Sequence, residues 1–110
     1  MRLLAVLMTA ALAQDLLAEA QTVMRNRLRD PDSAQFENLR AAQKTVSEKK
    51  AQVVCGNVNA KNSAGQLSGP SPFVFLAETR ESWLARNHDI LKNAFKDQES
   101  GAQIYQQYCS

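Results

Sequence analysis

From Gln14 to Arg29 the apolar positions Leu16, Leu17, Ala20, Val23, Met24 and Leu28 recur at the spacing of one helix face, while Asp15, Glu19, Arg25 and Arg29 fall mostly on the other. The pattern predicts an amphipathic helix that needs a surface to cover. Its acidic residues come early and its arginines late, the sense that the helix dipole favours. The cluster Arg25, Arg27 and Arg29 is read as a solvated helix end in preference to an anionic-surface contact. Pro31 then stops the ladder and disfavours helical geometry at Asp30. Asp30 is instead placed to cap a short new turn with Pro31 in its first position, which would aim Phe36 back under the first helix.

The period then changes. Phe36 to Lys44 is assigned to a strand, followed by a polar hairpin around Ser47 to Lys50. Ala51 to Ala60 is the clearest strand: alternation sets Val54, Gly56, Val58 and Ala60 on one face and Val53, Cys55, Asn57 and Asn59 on the other. Residues 61 to 72 carry Asn-Ser-Ala-Gly and Ser-Gly-Pro-Ser-Pro chemistry and predict an exposed connection. Phe73 to Ala77 is a continuous apolar run, expected as a central strand. After Thr79 two readings compete, because Trp83, Leu84, Leu91 and Phe95 also fit helical spacing. The favoured one is a strand or loop near Trp83 and a helix from about Asp89 to Lys96. Ser100-Gly101 is expected to punctuate, and Ile104, Tyr105, Tyr108 and Cys109 to form a short last helix. The sum is one α+β domain over residues 14 to 110: a helix, a small antiparallel sheet of three or four strands, and one or two C-terminal helices.

The start of the chain changes the compartment. Met1-Arg2 precedes an uncharged run from Leu3 to Ala13, 11 residues long. That is too short for a bilayer-spanning helix of about 20 residues and typical of a secretory h-region of about 7 to 15. Small side chains at Ala11 and Ala13 suit a signal peptidase, so residues 1 to 13 are expected as a signal peptide, leaving no stable membrane span. The competing reading is one long N-terminal helix over residues 3 to 28 in a cytoplasmic protein, its first half packed on a partner. An exported chain carrying two cysteines, Cys55 and Cys109, is most simply joined by one disulfide, worth about 4 kcal/mol for a loop of that size. Two unrelated buried thiols are the alternative. Periplasmic or secreted placement follows from the same premise.

Charge and candidate chemistry mostly exclude. With 13 Lys plus Arg against 11 Asp plus Glu, the balance is not that of a nucleic-acid binder. Two cysteines and the single His88 make a poor metal set, and the glycines Gly56, Gly65, Gly69 and Gly101 are too dispersed for a phosphate loop. His88 is the sole histidine available as a general base, no Gly-x-Ser-x-Gly elbow is present, and Glu78 and Glu81 near a turn are read as solvated acids. No catalytic residue and no cofactor is therefore assigned. The unusual chemistry is Asn57-Val58-Asn59-Ala60-Lys61-Asn62-Ser63, amides and one ammonium leaving a strand for a loop. Either Asn59 and Asn62 hydrogen-bond the backbone of the connection while Lys61 stays in water, or the run reads a polar ligand.

Asp30-Pro31-Asp32-Ser33-Ala34-Gln35-Phe36 and Val54-Cys55-Gly56-Asn57-Val58-Asn59-Ala60-Lys61-Asn62-Ser63 resemble motifs of a set of small exported, mostly uncharacterised proteins of bacteria and their phages, which also carry a Cys near the C-terminus. The resemblance directly covers about a fifth of the chain. It implies export, a Cys55 to Cys109 bridge and a helix followed by a small antiparallel sheet, and it transfers no catalytic residue. Members often have an aromatic residue and further glycines after the Asn-Ser pair, where this chain has Ala64, Gln66 and Leu67. The expected function is a non-catalytic, phage-related binding module of the envelope. Asn57, Asn59, Lys61, Asn62 and Ser63 would contact an envelope protein or cell-wall component through the 57 to 72 strand and loop. The alternatives are an inhibitor of an envelope hydrolase, with the loop as a plug, or a small hydrolase using Glu78, Glu81 or His88.

Overall fold

The computed structural model describes residues 2–110, with side chains described from Ala13 onward. Helix α1 (Arg2–Arg27) leads into a 3-10 turn (Pro31–Ser33), then strands β1 (Gln35–Val46), β2 (Lys49–Asn59), β3 (Ser71–Leu76) and β4 (Glu81–Leu84), a second 3-10 turn (His88–Ile90) and helix α2 (Phe95–Cys109). The fold is α+β, as the alternating patterns imply. Helix α1 runs without a break through the expected cut after Ala13, and the signal assignment itself falls largely on residues outside the described side chains.

The four strands form one antiparallel sheet in chain order, so β2 and β3 lie inside and β1 and β4 are the edges. Period-two alternation gives β2 and β3 two faces, and each face has its own helix. Val54, Val58, Ala60, Phe73, Phe75 and Leu84 meet Ala20, Met24 and Leu28 of the α1 side, together with Ile90 and Leu91. Val53, Cys55 and Val74 meet Ile104, Tyr105, Tyr108 and Cys109 of α2. Phe36 does turn back under α1: its ring lies edge-on to Phe73 at 5.8 Å and takes the Arg25 guanidinium at 5.3 Å. Gly56 is required on the α1 face because Leu39, thrown inward by an irregularity between Glu37 and Arg40, folds over it. A Cβ there would stand 2.7 Å from the Leu39 Cδ2. The β1–β2 hairpin closes through Ser47 and Glu48, both left-handed at φ 51° and 68°, the conformation that matches strand twist in a two-residue turn.

Several boundaries depart from the expectations. Helix α1 stops at Arg27, two residues early, because Leu28 leaves the ladder to form an isolated bridge with Leu91. The Arg29 amide donates to the Ile90 carbonyl and the Lys92 amide to the Arg27 carbonyl. The same pairing breaks the helix expected over Asp89 to Lys96: His88–Ile90 winds as a 3-10 turn, Leu91 is extended, and helix resumes only at Phe95 as the start of α2. Ser100-Gly101 does not punctuate either, since both sit inside α2. Gly101 is there because the helix presses on β4 so closely that a Cβ would lie 2.1 Å from the Leu84 carbonyl oxygen. The 61 to 72 connection ends sooner than expected, because Ser71 is already in β3 and buried.

Helix α2 is fixed at both ends. At its first turn the Asp97 carboxylate, fully buried, accepts from Arg27 Nη2 at 2.5 Å and Nη1 at 3.1 Å and from the Leu84 amide at 2.7 Å. Arg27 also donates to the Ser82 and Asn93 carbonyls, so one guanidinium joins α1, β4 and the approach to α2. Beside it Lys96 reaches the Ser82 carbonyl at 2.9 Å and lies 4.0 Å over the Trp83 ring. Burial, and secondarily the Arg27 charge, holds its ammonium below the ordinary lysine range. At the far end the Cys55–Cys109 disulfide ties the helix to β2. Arg40 and Lys44 of β1 donate to the Cys109 and Ser110 carbonyls there.

Asp97→Ala is expected to cost about 3 to 5 kcal/mol, since it strands the guanidinium and the Leu84 amide together. Urea unfolding of the variant against the parent measures it, and a loss under about 1 kcal/mol would contradict this role. The double substitution Cys55→Ser with Cys109→Ser should lose about 2 to 5 kcal/mol by the same assay, with α2 the first element to lose amide-exchange protection.

Candidate functional site

The α2-facing side of β2 turns polar past Cys55. There the register sets Asn57 between Glu37 and Pro72, and Asn59 opposite Gln35. Asn57 is half-buried in this ladder. Asn59 accepts the Gly69 amide at 3.0 Å through its side-chain oxygen. Asn62 Oδ1 accepts the Ala64 and Gln66 amides at 3.0 and 3.2 Å, and its own amide donates to the Gln66 carbonyl at 2.9 Å. These bonds continue the β2 strand into a small hairpin, with Lys61 bridged to Leu67 and the Ser68 amide donating to the Ala60 carbonyl. The two asparagines therefore hold the connection's backbone, while the Lys61 side chain is exposed.

Two other segments grip the same loop. The Lys61 amide donates to Ser33 Oγ at 2.9 Å, which joins the loop to the 3-10 turn after α1. That turn is built as expected, with Asp30 at its cap position and Pro31 first, although the Asp30 side chain makes no capping bond. Its carbonyl instead accepts from the Ser33 amide and hydroxyl. On the other side, Ser63 donates from its amide at 3.1 Å and its hydroxyl at 2.5 Å to Asp89 Oδ2, while Asp89 Oδ1 pairs with Arg29 at 3.2 Å. The hydroxyl and then the amide of Ser63 hold the Asp89 carboxyl below the usual range against an opposing desolvation, and the Arg29 charge adds a smaller lowering. Neither Ser33 nor Asp89 was singled out by sequence, because each acts on a loop far away in the chain.

The turn and the loop border a shallow hollow of about 310 Å³, lined by Asp30, Asp32, Ser33, Gln35, Lys61 and Leu67 among others. Leu67 is 49% exposed, one of two large apolar side chains in solvent among the described residues. Two of the predicted site residues, Lys61 and Ser63, thus present at the surface of a braced loop. Asn59 and Asn62 act beneath it, and Asn57 lies in the β1–β2–β3 ladder without a bond to the loop.

The residues considered for catalysis are dispersed. His88 Nε2 lies 3.0 Å from the Leu84 carbonyl, which can only accept, so that nitrogen carries the hydrogen and is spent on the backbone. Glu81 faces the Lys96 ammonium at 3.9 Å, and Glu78 is exposed in the β3–β4 turn. Among the described residues no group of three metal-ligating side chains converges, and no helix is long and apolar enough to cross a membrane. Fold and site together define a disulfide-stapled α+β domain with a braced surface loop. No family model, curated protein or solved structure matches the chain.

Because the Asp89 carboxyl is depressed in the fold, its grip on Ser63 is complete above the ordinary aspartate pKa and is lost as pH falls through the lower folded value. The Ser63 amide resonance is expected to hold steady from roughly pH 5 to 8 and to move only below about pH 4. In Ser63→Ala the Asp89 carboxyl carbon, followed by NMR, should titrate closer to the ordinary value. An unchanged midpoint would contradict the hydrogen-bond cause.

Proposed function

We infer that this chain is a non-catalytic binding module, exported to the periplasm or beyond with residues 1 to 13 as its signal and related to bacterial and phage envelope proteins, that contacts an envelope protein or cell-wall component through the 57 to 72 strand and loop. The observation that carries the reading is the state of that loop. It is exposed, yet side chains from Ser33, Asn59, Asn62 and Asp89 hold its backbone from within and from two other segments. A surface loop ordered before it meets a partner has little conformational entropy left to lose on association, which is the usual advantage of a preorganised recognition element. The disulfide supports the oxidising compartment, since such bridges persist outside the cytoplasm. The scatter of His88, Glu78 and Glu81 supports a role without catalysis.

Lys61 and Leu67 display their side chains without bracing the loop through them, so Lys61→Ala with Leu67→Ala tests recognition without unmaking the fold. Recovery of a specific partner from envelope extract by the tagged protein is expected to fall at least about tenfold in the double variant, a loss of about 1.4 kcal/mol. Undiminished recovery with intact disulfide and spectrum would remove the loop from the reading.

A further inference from the structure

The hollow beside the loop is bordered by residues of both charge signs. Asp30 and Asp32 come from the turn, Gln35 from the start of β1, and Lys61 and the exposed Leu67 from the loop. Among the described residues, none of these three charged groups has an opposite charge within 4.0 Å, whereas the neighbouring Asp89 is paired with Arg29. The two walls are joined at their base by one hydrogen bond, from the Lys61 amide to the Ser33 hydroxyl, so the backbones that carry these side chains are held side by side.

This arrangement limits what can bind. A simple cation would meet the Lys61 ammonium, and a simple anion would meet both carboxylates. A ligand that satisfies all of them carries both signs at its two ends, an apolar body for Leu67 and a polar link for Gln35, which has one donor and one acceptor function to offer. The volume, about 310 Å³, lies at the small end of the ~300 to 1,000 Å³ range of ligand pockets. Resting on the binding reading above, we propose that the hollow receives a short peptide with free ends. Its ammonium lies at Asp30 and Asp32, its carboxylate at Lys61, and a small aliphatic side chain on Leu67. The loop thereby recognises peptide termini of the kind presented by uncrosslinked or cleaved chains, in addition to any protein contact.

The test is an amide-resolved NMR titration of the full chain, purified with its disulfide intact, using trialanine up to about 10 mM, where a ligand of millimolar Kd approaches saturation. Saturable shifts are expected at Ser33, Lys61 and Leu67. N-acetyl-trialanine and trialanine amide should each bind about fivefold more weakly, the effect of one exposed charge pair. Lys61→Gln should erase the discrimination against the amide while keeping that against the acetylated form, and Asp30→Asn with Asp32→Asn should do the reverse. Capped and free peptides shifting the same resonances equally would overturn the proposal, as would the absence of saturable shifts. If trialanine fails while Lys61→Ala with Leu67→Ala still abolishes partner recovery, the hollow is not a peptide site and the binding reading stands. If partner recovery is insensitive but free-ended trialanine binds with the charge dependence above, the site stands alone.

Discussion

A single buried carboxylate sets the arrangement of this fold. Asp97 has no access to water, and an ionised acid in that position is tolerable only when its oxygens are fully engaged. They are engaged by the end of α1, through Arg27, and by the edge of the sheet, through the Leu84 amide. Neither helix can therefore move relative to β4 without exposing a charge to an apolar surrounding. Position 97 lies in the first turn of α2, where unsatisfied amides favour negative charge, so local and tertiary electrostatics act in the same sense. One helical turn on, Gly101 lets the same face of α2 touch the Leu84 carbonyl. The Leu84 amide is thus held by Asp97 and its carbonyl by His88, with Gly101 packed close against that carbonyl.

The disulfide completes what the carboxylate begins. With α2 anchored by Asp97 at one end and Cys109 at the other, its apolar side must lie across Val53, Cys55 and Val74. Its reach along the sheet is fixed accordingly. The strand residues past Cys55 receive no apolar cover from it and are polar, which is where the loop begins. Placement of the candidate surface is in this sense a by-product of how the last helix is tied down.

Elements with a strong period were legible from sequence. Alternation in residues 51 to 60 set the two faces of β2 correctly, and the α1 stripe named Ala20, Met24 and Leu28 as core. An even cysteine count proposed the bridge that the structure contains. The failures share a physical origin in long-range contact. Leu28 and Leu91 leave their helical patterns because they pair with each other, and Gly101 reads as a breaker although its lack of a side chain is what permits close packing within a helix. Asp97 looks like an ordinary acid in a polar stretch, since nothing local reveals Arg27 as its partner. At the candidate site, the roles of Asn59 and Asn62 as backbone acceptors were legible from their strand-end position. Those of Ser33 and Asp89 were not, because a side chain that holds a remote amide leaves no mark on its own neighbours in the chain.

The irregularity at Asn38 and Leu39 has an effect on the outside of the molecule as well. Strand β1 is a long edge with no strand paired to its outer side among the described residues, the sort of surface on which chains of the same kind can stack through their main chains. Asn38 sits in a left-handed conformation at φ 56°, which interrupts the even row of outward amides and carbonyls there, and Arg40 and Lys44 follow close behind it. The kink that turns Leu39 onto Gly56 thus also roughens the sheet's exposed margin, a geometry that disfavours main-chain pairing along an edge.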